Sequence, residues 1–236
     1  MKKLVALLLC MMLLCSTAYA VSPGFAVRNG SRDEKKICIT VDDCMDIPIL
    51  QEIFEMTQEL EVPITIFTLG SVVKEEDKEL WQTIALSDCE IGNHCYGHDS
   101  LTKKKNASGI RRTLERTQIA LDAVLGYHYP MRMMRPPFGR ISDANVSRKT
   151  VLGAIESAGY AKAVLWDVSE TDAEKCLPKV QNGSILLFHT IEKDLECLEK
   201  LLPQLFVCKN KRAKDGLTLL ISRHNLSCNW STTNDF

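Results

Sequence analysis

Residues 37–43 read ICITVDD, a short run of mainly β-branched residues that passes directly into two aspartates. Such a run predicts a buried strand. A helical pattern follows, with apolar residues at helical spacing between Ile49 and Leu60, and residues 64–69, ITIFTL, predict a second strand that ends at Gly70. Apolar strands that alternate with helices are typical of a parallel sheet covered by helices.

The alternation of strand and helix continues to the end of the chain. Further strands are predicted over residues 89–93, 131–134, 161–166, 184–188 and 217–221, and further helices over residues 74–86, 108–125, 146–158 and 194–207. Because no internal repeat or linker interrupts the pattern, the seven strands predict one α/β domain. A closed or nearly closed barrel of about seven parallel strands is favoured, and an open doubly wound sheet is the alternative.

Composition places the chain among ordinary globular proteins. It has 236 residues, of which 45% are hydrophobic and 25% charged, values that exclude a disordered or collagen-like protein. The formal net charge of −1 lacks the basic excess of a nucleic-acid-binding protein. No G-x-S-x-G, P-loop or H-E-x-x-H motif occurs, which argues against serine hydrolases, nucleotide-binding proteins and zincins. We expect a monomer without a nucleic-acid partner.

The first twenty residues have the pattern of an export signal. Lys2 and Lys3 precede an apolar run from Leu4 to Leu14, which is too short to span a bilayer comfortably. The small-x-small triplet at residues 18–20 predicts cleavage after Ala20. We therefore expect a secreted or extracytoplasmic protein of the cell envelope with no membrane span in the mature chain. A buried N-terminal helix is the alternative.

Cysteine usage fits export without fixing any pairing. Of ten cysteines, Cys10 and Cys15 lie in the predicted leader, which leaves an even number in the mature chain. An even number in a secreted chain is compatible with disulfides. Ordinary buried thiols are the alternative, and the absence of a C-x-x-C pair argues against a zinc ribbon or a thioredoxin-like site.

Charged or metal-capable side chains follow five of the predicted strands. They are Asp42 and Asp43, His94 with His98 after it, Arg135, Asp167, and His189. Because the carboxyl ends of parallel strands meet at one edge of a sheet, we expect these side chains to form one site. One carboxylate and two imidazoles make a metal site with open coordination positions, and a further carboxylate can take a proton from water. This layout indicates metal-assisted hydrolysis of an amide or ester.

Four motifs at these strand ends resemble those of a known family. They are TVDD at residues 40–43, GNHCYGH at 92–98, RPPFG at 135–139 and LFH at 187–189. In order and spacing they are similar to the motifs of the polysaccharide deacetylases, which share the NodB homology domain and form carbohydrate esterase family 4. The resemblance implies a single-domain, distorted (β/α) barrel and a catalytic domain over residues 36–222. Residues 21–35 would be an N-terminal extension and residues 223–236 a C-terminal tail.

The resemblance implies a metal site and a base. Asp43, His94 and His98 would hold a divalent metal ion, with Zn²⁺ first and Co²⁺, Mn²⁺ or Ni²⁺ as alternatives. Asp42 would be the general base, and Arg135 would hold and orient its carboxylate.

The resemblance also implies residues that act on the substrate. Pro137 and Phe138 would contact it, with the backbone N–H of Phe138 and the metal stabilising the oxyanion of the tetrahedral intermediate. Leu187 would line a small pocket for the acetyl methyl group.

His189 would be the general acid, with Asp172 as its better-aligned partner and Asp167 as the alternate. The implied reaction is hydrolysis of an N-acetyl group, or less often an O-acetyl group, on a sugar polymer such as peptidoglycan or chitin-type oligomers. A catalytically weak, glycan-binding relative of the same fold is the alternative.

Three positions depart from the family pattern. Cys44 stands where the family usually has glycine, and Cys95 stands where it has a serine or threonine whose hydroxyl ties the loop. The two cysteines could bond to each other or bring sulfur near the metal. Ala173 follows Asp172 where the family has tryptophan, which alters the environment expected around the acid.

Overall fold

The computed structural model describes residues 21–104 and 106–206. The strands in this part of the chain form one parallel sheet. Its strands are β1 (Ala26–Val27), β2 (Cys38–Asp43), β3 (Thr65–Thr68), β4 (Glu90–Asn93), β5 (Met133–Met134), β6 (Lys162–Val164) and β7 (Ile185–His189). They lie in the order β1-β6-β5-β4-β3-β2-β7, and every neighbouring pair is parallel. All carboxyl ends therefore lie on one side of the sheet.

Helices connect most of these strands and cover the outside of the sheet. They are α1 (Ile47–Glu59), α2 (Lys78–Leu86), α3 (Ala107–Leu125), α4 (Arg148–Ser157), α5 (Ala173–Cys176) and α6 (Glu192–Phe206). Local chemistry fixes their ends. The side chain of Asp46 accepts a hydrogen bond from Ile49 N at 3.1 Å at the start of α1, and Gly126 ends α3 with a φ of 79°. The helix predicted over residues 108–125 is confirmed.

The sheet curls until its two sides meet. Beyond β6, Val168 pairs with Leu186 of β7, and Asp167 N donates to Ile185 O at 3.2 Å. Strands β2 to β7 thus form a ring in which the segment just after β6 joins the first residues of β7. This confirms the distorted (β/α) barrel and argues against the open doubly wound alternative.

Strand β1 occupies the remaining gap between β6 and β7. Val27 pairs with Val164 of β6, and Gly30 N donates to Gly183 O, just before β7, at 2.7 Å. The stretch 21–35, predicted to be an N-terminal extension, thus contributes β1 to the described sheet. Two residues are too few to show a strand period, which is why the sequence does not reveal β1.

Some sequence predictions concern parts of the chain outside the described residues. They are the leader over residues 1–20, the strand over 217–221 and the tail over 223–236. The seventh strand of the described sheet is β1, not the strand predicted near the C-terminus. In the described ranges, no helix is both long and apolar enough to cross a membrane.

Alternation along β2 decides which side chains enter the barrel. Ile39 and Val41 are buried in the large core beneath the helices, whereas Cys38 belongs to a small cluster inside the curl. Successive side chains of a strand point to opposite faces. Thr40 and Asp42 therefore share the inner face with Cys38, and a carboxylate is placed inside the barrel.

We expect Gly92→Ala to destabilise the protein. Gly92 lies in β4, where an added Cβ would lie 2.5 Å from Cδ1 of Phe67, a fully buried ring. Overpacking of this kind costs about 1–3 kcal/mol. Urea unfolding followed by circular dichroism would show it as a lower midpoint.

Gly153→Ala is the matched control for this substitution. Gly153 lies in α4, and its added Cβ would meet nothing closer than Cγ2 of Val21 at 3.9 Å. Alanine favours a helix over glycine by roughly 0.5–1 kcal/mol, so the midpoint should rise. Equal midpoints for the two variants would contradict the close packing of β4 against Phe67.

Candidate active site

Three metal-capable side chains meet at the carboxyl end of the barrel. Asp43 ends β2, and His94 and His98 follow β4, which lies on the other side of β3. Asp43 Oδ1 is 3.3 Å from His94 Nε2 and 3.5 Å from His98 Nε2, and the three ligand atoms lie within 4.8 Å of one another. The structure thus brings together the three residues predicted to bind a metal.

Two features of this cluster fit a divalent cation. Asp43 Oδ1 is buried, and no described residue forms a hydrogen bond with it. His94 Nδ1 lies 2.7 Å from the carbonyl oxygen of Arg135. Because a carbonyl can only accept, Nδ1 carries the proton and Nε2 keeps its lone pair for a metal. One carboxylate and two imidazoles suit zinc and other first-row divalent ions.

The imidazoles also keep Asp43 ionised. Burial raises the pKa of Asp43, but its interactions with His94, His98 and His189 lower the pKa by more. The net pKa of Asp43 therefore lies below its usual value, and the side chain is a carboxylate at neutral pH, the form that binds metal.

Asp42 is held by a buried arginine. Arg135 follows β5, is 0% exposed and donates from Nη1 to Asp42 Oδ1 at 2.6 Å and to Thr40 Oγ1 at 2.7 Å. Its remaining nitrogens donate to the carbonyl oxygens of Val164 and Leu165, both at 3.1 Å. The second oxygen of Asp42, Oδ2, lies 3.8 Å from His94 Nε2, beside the metal-capable cluster. Arg135 thus orients Asp42 so that one oxygen remains available there.

The loops around the site contain residues in the left-handed region of backbone space. Asp43, Cys44, Cys95 and Phe138 have φ values of 69°, 60°, 72° and 63°. Such a φ suits glycine, the usual family residue at position 44, and is unfavourable for residues with a Cβ. Strain of this kind is found where the surrounding structure imposes it, often at functional sites.

Asn93 holds the loop that carries the two histidines. Its Oδ1 accepts from Cys95 N at 2.8 Å, and its Nδ2 donates to Leu114 O at 2.9 Å and to Tyr160 Oη at 2.6 Å. The Asn93 carboxamide thus holds the loop by hydrogen bonds, a role that the family pattern gives to a hydroxyl group at position 95. Sequence reasoning missed Asn93, although its place at the end of a strand before two histidines was a usable signal.

Pro137, Phe138 and Leu187 lie around the same end of the barrel. Pro137 is buried and begins a short 3₁₀ turn, and Phe138 after it is 57% exposed, with its ring 4.3 Å from the His98 ring, centroid to centroid. Leu187 is buried in β7 and pairs in register with Thr40 of β2. Gly139 closes the turn at a φ of 61°, where a Cβ would lie 2.9 Å from the Trp166 ring.

His189 ends β7, in register with Asp42 of β2. Its ring Nδ1 lies 3.2 Å from Asp194 Oδ2 in the first turn of α6. The hydrogen bond with Asp194 raises the pKa of His189, burial lowers it, and the charges of Asp42, Asp194 and Asp43 raise it, so that the net pKa lies above its usual value. His189 therefore favours the protonated form that a proton donor needs.

The structure does not bring the predicted partner Asp172 to His189. Asp172 is the N-cap of α5, where its Oδ1 accepts from Glu174 N at 2.9 Å and from Lys175 N at 3.4 Å. The alternate, Asp167, accepts from Ile185 N at 2.7 Å and pairs with Arg32. Both aspartates are thus occupied elsewhere, and Asp194 takes the place beside the ring. The sequence held a signal for it, an acidic residue in the first turn of the helix after His189.

Cys44 and Cys95 form no disulfide with each other or with another described cysteine. Both are fully buried, and burial raises the pKa of each thiol well above its usual value. A protonated thiol is a poor metal ligand and a poor nucleophile. The structure thus lacks the Cys44–Cys95 bond, and burial disfavours the thiolate form that would bind a metal. Cys208 and Cys228 lie outside the described residues.

Comparison with known proteins agrees with this geometry. Residues 29–161 match the family described as Polysaccharide deacetylase. The chain is 25% identical over 188 residues to the uncharacterized protein YlxY of Bacillus subtilis, covering 76% of this chain and 56% of YlxY, so it spans about half the length of that relative. It is 28% identical over 165 residues to a chitooligosaccharide deacetylase of Sinorhizobium fredii, covering 65% of this chain and 71% of the relative.

Solved structures share the fold. BA3943 of Bacillus anthracis, described as a CE4 family pseudoenzyme, superposes with a TM-score of 0.65 at 22% identity, covering 78% of this chain and 64% of BA3943. A BA3943 mutant with restored enzymatic activity superposes equally well, at 23% identity. The family match covers more than half of the sequence, and the chain therefore belongs to the polysaccharide deacetylase family.

Proposed function

We propose that this chain is an exported, metal-dependent hydrolase that removes acetyl groups from a sugar polymer. N-acetyl groups on peptidoglycan or chitin-type oligomers are the first choice, and O-acetyl esters are the second. The observation that carries the proposal is the Asp42 carboxylate, held by buried Arg135 at 2.6 Å beside the cluster of Asp43, His94 and His98. Membership of the deacetylase family and the similarity to a chitooligosaccharide deacetylase support it.

The cluster of Asp43, His94 and His98 would hold the metal, with Zn²⁺ first and Co²⁺, Mn²⁺ or Ni²⁺ as alternatives. A bound divalent ion supplies a Lewis acid that polarises the acetyl carbonyl and acidifies water. The chain's own part is to present one oxygen and two nitrogens from two strand ends, with the His94 tautomer fixed by Arg135 O.

Asp42 and His189 would divide the proton transfers between them. Water gives a proton to Asp42 Oδ2 as its oxygen forms a bond with the acetyl carbon. The carbon–nitrogen bond then breaks, and the sugar nitrogen takes a proton from His189 Nε2, which yields acetate and a free amine. The charge of Arg135 stabilises the Asp42 carboxylate before it accepts the proton.

Pro137, Phe138 and Leu187 would hold the acetyl group. The backbone N–H of Phe138 would stabilise the charge that develops on the carbonyl oxygen. Buried Leu187 would contact the methyl group. The exposed Phe138 ring, next to His98, offers an apolar face to the sugar.

We also propose where the chain acts. The basic start, apolar run and small-x-small triplet of residues 1–20 indicate cleavage near Ala20 and release outside the cytoplasm. We propose that the mature chain acts there as a monomer. The proposed substrates are polymers of that compartment.

A catalytically weak glycan-binding protein is the second candidate. The structural likeness to the BA3943 pseudoenzyme and the alanine at position 173 favour it. We expect zinc-loaded protein to release acetate from at least one member of a panel of peptidoglycan, chitin oligomers and acetylxylan. Glycan binding without acetate release from any member would favour the binding protein instead.

We expect Asp42→Asn to abolish turnover while the metal stays bound. Asparagine keeps an oxygen that can accept from Arg135 but cannot act as the base, and loss of a general base typically lowers the rate about 10²–10⁴-fold. Acetate release and metal analysis of the same sample would show this. Asp172→Asn, on the exposed start of α5, should leave the rate within about twofold. Full activity of Asp42→Asn would reject Asp42 as the base.

Two histidine variants should separate metal binding from proton donation. His98→Ala should lower zinc affinity on the order of 100-fold or more, because one of three ligands is lost. His189→Ala should keep the zinc content and lower kcat about 10²–10⁴-fold. His128, a surface residue paired with Asp122, supplies the control variant His128→Ala, which should change neither. Zinc loss in His189→Ala would mean that His189 is itself a ligand.

A further inference from the structure

We propose that Asp194, in the first turn of α6, is the positioning residue for His189, a role expected of Asp172. The inference rests on the proposed function in treating His189 as the proton donor. Asp194 does not touch the substrate site itself and would act through the imidazole.

One oxygen of Asp194 binds His189 twice. Asp194 Oδ2 accepts from the backbone N–H of His189 at 2.6 Å and lies 3.2 Å from its ring Nδ1. A carboxylate at neutral pH can only accept, so Nδ1 carries a proton and Nε2 is the ring nitrogen left to act on a ligand. The backbone bond fixes the end of β7, and the ring bond fixes the orientation of the imidazole.

The burial of Asp194 indicates that its charge is directed at the ring. Asp194 is 1% exposed, and its other oxygen, Oδ1, is buried with no hydrogen-bond partner among the described residues. A buried carboxylate with an unsatisfied oxygen is costly to fold. A neutral side chain could close the turn between β7 and α6 with a smaller free-energy cost of burial. The turn alone therefore does not explain why this position is an aspartate.

The surroundings of His189 contain further negative groups. Asp194 approaches from α6, Asp42 from the inner face of β2 and Asp43 from the end of β2, and their charges all favour the imidazolium. Asp194 alone among them forms a hydrogen bond with the ring. The N-terminal turn of α6 in turn stabilises the Asp194 carboxylate through the helix dipole.

The substitution Asp194→Asn removes the negative charge of Asp194 but keeps an oxygen that can hold the turn. Both contacts use Oδ2, so an asparagine oxygen in the same place can accept both hydrogen bonds without a negative charge. The matched control is Asp172→Asn, which removes the charge of the aspartate that caps α5. Should Asp194→Asn fail to fold, Asp194→Ser supplies a neutral acceptor in the same turn and is measured in the same ways.

The first readout needs no activity. In zinc-loaded protein labelled with ¹⁵N-histidine, the pKa of His189 should fall in Asp194→Asn and stay unchanged in Asp172→Asn. A fall in both variants, or in neither, would overturn the role of Asp194. If the pKa of His189 follows Asp194 but no acetylated sugar is hydrolysed, the proposed function fails and the positioning role stands.

The second readout is the pH dependence of turnover. A proton donor must be protonated, so activity is lost as pH rises through its pKa, and Asp194 holds that pKa up. In Asp194→Asn the alkaline limb of kcat/KM should therefore move to lower pH. Above neutrality kcat should fall about tenfold with KM little changed, and at acidic pH most of the loss should disappear. A pH-independent loss would indicate a merely structural role and overturn the proposal.

Discussion

The buried ion pair between Arg135 and Asp42 is the contact on which the rest of the site depends. Arg135 enters the barrel from the end of β5 and reaches β2 through Asp42 and Thr40, while its other nitrogens bind carbonyl oxygens at the end of β6. Thr40 in turn donates to Leu186 O of β7 at 2.7 Å. One guanidinium thus connects, directly or through Thr40, four strands that are far apart in sequence.

A buried pair of this kind is expensive unless every donor is used. Each of the three guanidinium nitrogens donates at least one hydrogen bond, and Cζ lies 4.4 Å from the centroid of the Phe67 ring. The backbone of the same residue holds the metal-capable cluster, because Arg135 O fixes the His94 tautomer. One residue therefore orients both the proposed base, through its side chain, and the metal-capable His94, through its backbone carbonyl.

Much of this arrangement could be predicted from the sequence, and the exceptions have physical causes. Runs such as residues 64–69 predict strands because β-branched and aromatic residues suit a strand that is buried on both faces. The strand Ala26–Val27 is too short for any period, so its pairing with β6 is seen only in three dimensions. Asp172 aligned with a family motif, yet position along the chain does not tell whether a carboxylate caps the next helix or turns toward a histidine. Asp194 reaches His189 because α6 begins just beyond the turn, a geometry that no periodicity encodes.

The left-handed residues at the rim of the barrel have a consequence for how the protein responds to heat. Asp43, Cys44, Cys95 and Phe138 hold conformations that each cost roughly 1–2 kcal/mol, and the surrounding contacts enforce them, among them the hydrogen bond from Cys95 N to Asn93. Local opening of such segments needs less free energy than melting of the sheet. On warming, the loops that carry the ligands should relax first, so inactivation precedes loss of secondary structure and is reversible on cooling while the barrel remains intact.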